Sequence, residues 1–140
     1  MDNQKNEEAK HPRITIRFHL DFNVAFGDNI FLVGSEPRFG EWVAKKGSDE
    51  DIGIIDVIIG IKMRYNAGEW KYSHEWEDKI NLEYKYICVA ANGSVSWETI
   101  PNRKLVKTII PDNKATYVID LYHKWNDEKE EEKGKKVYAT

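Results

Sequence analysis

Two tryptophans in this chain sit where a tryptophan is less often a core residue. Trp42 follows Phe39-Gly40-Glu41 on a glycine-bearing loop, outside any alternating pattern. Trp97 lies at the far end of a short run, Ser94–Glu98, flanked by Ser96 and Glu98. Indoles on loops near one end of a β-rich domain would present flat apolar faces to solvent. Such faces stack against the axial C–H bonds of a glucose ring, and each stacking contact contributes about 0.5–1.5 kcal/mol beyond area burial. The hydroxyls around the ring then need donors and acceptors, because leaving them unpaired costs affinity. Lys85, Glu98 and Asn102 supply both.

Other chemistries find little support. The four histidines, His11, His19, His74 and His123, are scattered, and no Cys/His cluster with metal-ligand spacing occurs, so no metal is expected. There is no Gly-x-Ser-x-Gly elbow and no phosphate loop, so neither a catalytic residue nor a cofactor is expected. The net charge of −3 and the lack of a basic stripe argue against nucleic acid. The longest apolar run, around Ile52–Ile61, is broken by Asp56 and two glycines, too short for a membrane span. Cys88 is the sole cysteine, which excludes an internal disulfide and suits a reducing compartment. With no apolar leader pattern in Met1–Lys10, a cytoplasmic location is expected.

The elements that must carry these residues repeat with period two. Ile14, Ile16, Phe18, Leu20 and Phe22 alternate with Thr15, Arg17, His19 and Asp21, a half-buried strand. Trp70–Trp76 and Leu82–Cys88 alternate in the same way, and Asn29–Gly34, Ile54–Tyr65, Leu105–Ile110 and Ala115–Tyr122 read as further strands. Asn92-Gly93 predicts a tight hairpin turn into Ser94–Glu98, and Pro111-Asp112-Asn113 a second turn. Seven to eight short strands with frequent turns predict an all-β fold, an antiparallel immunoglobulin-like β-sandwich. The expected organisation is a charged N-terminal tail over 1–11, one domain over 12–124, and a charged C-terminal tail over 125–140.

Three local signatures occur in order: Gly27-Asp28-Asn29-Ile30-Phe31-Leu32-Val33-Gly34-Ser35 with Gly40-Glu41-Trp42 downstream, Glu83-Tyr84-Lys85-Tyr86-Ile87, and Val95-Ser96-Trp97-Glu98 with Pro101-Asn102-Arg103. In these, roughly from Arg13 to Tyr122, the chain resembles the family-20 carbohydrate-binding modules, the starch-binding domains. The resemblance implies a non-catalytic α-1,4-glucan site on Trp42, Lys85, Trp97, Glu98 and Asn102, with starch, glycogen or a maltooligosaccharide as ligand. It implies a second, less complete site at Phe26, Tyr65 and Trp70. There Phe26 replaces a family tyrosine, and the spacing of Tyr65 differs. Val43–Ile59 departs from the family pattern as an insertion. The expected role is an adaptor that brings an intracellular protein partner to glucan. The alternative is an assembly protein of a larger complex, held through its charged tails, that keeps the fold without binding sugar.

Overall fold

In the computed structural model, residues 13–42, 52–55, 58–77, 79–108 and 115–138 are described. The sequence-predicted N-terminal tail and the turn at Pro111-Asp112-Asn113 fall outside them, as does most of the Val43–Ile59 segment. Eleven strands are present among the described residues: β1 Arg13–Asp21, β2 Asn29–Gly34, β3 Ile52–Ile55, β4 Ile58–Lys62, β5 Arg64–Asn66, β6 Glu69–Trp76, β7 Ile80–Val89, β8 Val95–Trp97, β9 Arg103–Lys107, β10 Ala115–Lys124 and β11 Glu131–Tyr138. They form two sheets. One has the order β11-β10-β1-β6-β5; the other has β3-β4-β2-β7-β8, with β9 also paired to β7. All the ladders are antiparallel except β1 with β10, which is parallel.

The all-β sandwich expected from the alternation is therefore the observed fold, with more strands than expected. Ile14, Ile16, Phe18 and Leu20 point inward from β1, and Leu82, Tyr84 and Tyr86 face them from β7. The Phe18 and Tyr84 rings meet edge to face across the layers at 5.3 Å. The run Asn29–Gly34 is apolar throughout because β2 is buried on both faces: Ile30 and Leu32 join the main core, while Phe31 and Val33 pack with Ile87 on the far side.

The structure corrects the reading of the C-terminus. The charged stretch expected as a tail folds as β11, an edge strand on β10. Trp125 turns the chain into it and stacks on Phe22, with ring centroids 4.6 Å apart and planes 8° apart. Lys133 and Lys136 lie over the rings of Tyr122 and Tyr117. Lys107 on β9 bridges to Glu132 at 2.8 Å. An edge strand rich in lysine is a common device against edge-to-edge aggregation, so strand formation and high charge are compatible.

Candidate functional site

Trp42 owes its position to a clamped loop. Gly34 ends β2 where a Cβ would come within 2.7 Å of the Glu83 carbonyl, so only glycine fits. Ser35 then binds Glu83 twice, its N–H donating to the carbonyl at 2.9 Å and its Oγ accepting from the Glu83 N–H at 3.1 Å. Glu36 accepts from the Trp76 indole N–H at 3.1 Å, and Arg38 Nε donates to the Tyr72 hydroxyl at 2.7 Å. Phe39, fully buried, pins the single 3-10 turn Pro37–Phe39 to the core. Three successive residues, Gly40, Glu41 and Trp42, then adopt positive φ of 91°, 53° and 58°. For the last two this is a strained backbone, tolerated where the surroundings over-determine it. It leaves the Trp42 indole outside the fold, 38 % exposed.

Trp97 arrives from the other side. The Asn92-Gly93 turn forms, as a loop in which only Gly93 takes positive φ and Asn92 Oδ1 accepts from the Ser94 N–H at 2.9 Å. It sets β8 against β7 so that Trp97 pairs with Ile87. The indole is 37 % exposed, and its ring centroid lies 6.3 Å from that of Trp42, with the planes inclined by 33°. Lys85, half-buried on β7, donates through Nζ to the Glu98 carbonyl at 3.1 Å, which holds an ammonium beside the residue after Trp97. Asn102 is exposed and donates to the Glu83 carboxylate at 3.2 Å.

Glu98 behaves differently from expectation. Its carboxylate faces inward and is fully buried. Arg103 grips it with two parallel bonds of 3.0 and 2.6 Å, and the backbone N–H groups of Tyr86 and Asn126 each donate at 3.0 Å. Four donors saturate the carboxylate, so a sugar hydroxyl has no access to it. Burial alone would pull the Arg103 guanidinium down; the hydrogen bond and charge of Glu98 outweigh burial and hold it above its ordinary value. Glu98 thus anchors the Trp97 segment from below, and the whole residue is buried. Asn126, which the sequence reading passed over, completes the anchor: its Oδ1 accepts from the Thr99 N–H at 2.7 Å. A left-handed φ of 59° at an asparagine beyond a strand is the local signature that marks it.

The second group also comes together. Phe26, Tyr65 and Trp70 line one groove of about 380 Å³ with the Asn23–Asp28 loop. Phe26 is fully exposed, Tyr65 is 55 % exposed, and Trp70 forms the floor, its ring 5.2 Å from that of Tyr65. The Trp70 indole N–H is buried with no protein acceptor. Among the described residues there is no group of three or more metal-ligating side chains, and no helix is long and apolar enough to cross a membrane.

The site thus comprises exposed aromatic side chains on two loops and two short strands of a β-sandwich. Residues 13–116 match the family model described as the starch binding domain, and the chain belongs to that family. It is 34 % identical over 89 residues to Glucoamylase-1 of Arthroderma benhamiae, covering 64 % of this chain and 13 % of that protein. It is 29 % identical over 92 residues to a cyclomaltodextrin glucanotransferase of a Bacillus species, covering 65 % of this chain and 12 % of that one. The chain therefore spans only about an eighth of these curated relatives' length. In fold it resembles the family 20 module of the maltotetraose-forming amylase of Pseudomonas saccharophila, with a TM-score of 0.51 at 16 % identity, covering 79 % of this chain and 99 % of that one. It also resembles part of the Hypocrea jecorina glucoamylase, with a TM-score of 0.59 at 20 % identity, covering 82 % of this chain and 17 % of that one.

Proposed function

We propose that the protein binds α-1,4-glucan non-catalytically by stacking glucose rings on Trp42 and Trp97. The observation that carries this is the pair of indoles, both more than a third exposed and inclined by 33° on a rigidly held frame. Two inclined planes suit a ligand whose successive rings turn relative to one another, as in a helical α-glucan. The Lys85 ammonium and the Asn102 amide stand beside them to meet the hydroxyls. The groove of Phe26, Tyr65 and Trp70 is a second contact on the same polymer, where the exposed Phe26 and Tyr65 rings offer apolar faces. Single-site affinity should be on the order of 10 µM, about −7 kcal/mol. In the cell the module acts as an adaptor that brings a protein partner to glycogen or starch in the cytoplasm. The lone Cys88 fits a reducing compartment: burial, then the charge of Asp28, pushes its thiol up, away from reactivity.

Retention on amylose resin tests the reading. Trp42→Ala and Trp97→Ala should each weaken binding about tenfold or more, as expected for a central aromatic anchor. Full retention by both variants would show that the site lies elsewhere.

A further inference from the structure

A second kind of concavity lies across β4, β5 and β6 and shares no residue with either aromatic group. It measures about 430 Å³ and is lined by Arg38, Lys62, Arg64 and Lys71 with the hydroxyls of Tyr72 and Ser73. No acidic residue lines it, in a chain with 24 acidic residues and a net charge of −3.

The cations are arranged at a cost. Arg64 stands directly opposite Lys71 in the β5/β6 register. Like charges facing each other across two strands destabilise the pair. Among the described residues, Arg38, Lys62 and Arg64 have no carboxylate partner. Lys71 reaches Glu69 only at 3.6 Å, and that carboxylate is already bound to His19 at 2.8 Å. Arg38 is held in place by its Nε bond to the Tyr72 hydroxyl. Its charge extends inward, where burial first and Arg38 second hold His74 below the ordinary histidine range.

We propose that this concavity is an anion site for a phosphate monoester. Two guanidinium forks and two ammonium groups exceed what one carboxylate neutralises. A phosphoryl group carries about −1.5 to −2 charges at neutral pH and three acceptor oxygens, which matches that donor set. The source is inorganic phosphate or a small sugar phosphate, and the shared chemistry is the phosphoryl dianion. The site is independent of glucan binding.

The test is an NMR titration of the full chain with sodium phosphate and, separately, with glucose 6-phosphate, each against chloride of matched ionic strength. Saturable shifts at Arg64, Lys71, Tyr72 and Ser73 are expected. R64Q and K71Q should each weaken the affinity about tenfold, the loss of one charge-assisted contact. Both should keep or raise Tm in phosphate-free buffer, because each relieves the like-charge pair, and that separates loss of the site from loss of the fold. Glucose 6-phosphate binding tighter than inorganic phosphate would identify a sugar phosphate; equal affinities would mean that the phosphoryl group alone is read. Absence of a saturable shift with either probe, or undiminished binding in the R64Q/K71Q double variant, would overturn the proposal. Amylose retention, measured on the same samples, should be unchanged in both variants. Its failure in the unaltered chain would remove the glucan reading and leave this one standing.

Discussion

At the scale of single residues, Glu98 shows how a motif position and its physical role can part. A glutamate beside an exposed tryptophan reads as a partner for sugar hydroxyls, yet four donors hold its carboxylate inside the fold. Removing one partner of a buried ion pair leaves the other charge unpaired, which costs about 3–5 kcal/mol. Glu98→Gln should therefore lower stability by about that amount in denaturant melts. The Glu98→Gln/Arg103→Met double variant should recover part of it, because apolar replacement of a whole pair is often neutral. A direct sugar-binding role would show the reverse pattern, with full stability and lost affinity. The exposure of Trp42 and Trp97 was legible from their positions in the sequence, and Lys85 and Asn102 came with the family resemblance. The inward turn of Glu98 was not, because the strand alternation that buries it depends on β8 pairing with β7. Asn126 was equally hidden, being 28 residues from the carboxylate that its backbone N–H holds.

At the scale of elements, the strands that alternate cleanly were the easiest to read. β1 and the first half of β7 bury every second residue, β6 buries Trp70 and Trp76 and half-buries Tyr72 and His74 between them, and their outlines follow the sequence pattern closely. β11 was missed because Glu131–Tyr138 has almost no apolar face to announce it; rings on β10 and an ion pair to β9 hold it in place instead. The β5–β6 turn was missed for a different reason. Ala67 and Gly68 both take positive φ, 53° and 86°, the geometry usually signalled by Asn-Gly. An alanine there carries a left-handed penalty of about 1–2 kcal/mol, and glycine removes it at some cost in unfolded-state entropy. Ala67→Gly should raise stability by about 0.5–1 kcal/mol, read as a higher denaturant midpoint with an unchanged m-value.

At the scale of the whole molecule, the two sheets are fastened at one end by a buried polar chain. His123 lies between Glu130, 2.7 Å from Nε2, and the Tyr86 hydroxyl, 2.8 Å from Nδ1. The hydrogen bond from His123 is the main reason that the Glu130 carboxyl titrates below its ordinary value of 4.5; burial opposes it, and the charges of His123, Lys107 and Arg103 assist. A carboxylate with a depressed folded pKa stabilises the fold above its unfolded pKa, and that contribution is lost as pH falls through the folded value. Glu130→Gln should therefore be less stable than the parent chain at neutral pH. The gap should close as the pH is taken well below 4.5, which denaturant melts across that range would record. A constant gap would place the effect in packing instead of charge.

The parallel pairing of β1 with β10 has a mechanical consequence. Arg13 sits beside Thr116, and Thr116 beside Val137, so the start of β1 and the end of β11 lie at the same end of the sheet. Tension applied between those two points would peel β11 from β10 one bond at a time, a low-force event. Once β11 is stripped, the load reaches β10 at Lys124, eight residues beyond Thr116, the partner of Arg13, and roughly 26 Å from where β1 is held. Two parallel strands pulled from opposite ends are loaded in shear, with all their bonds resisting together. The added edge strand would thus act as a yielding element in series with a stiff one. A pulled chain would release slack before the sandwich that carries Trp42 and Trp97 is strained.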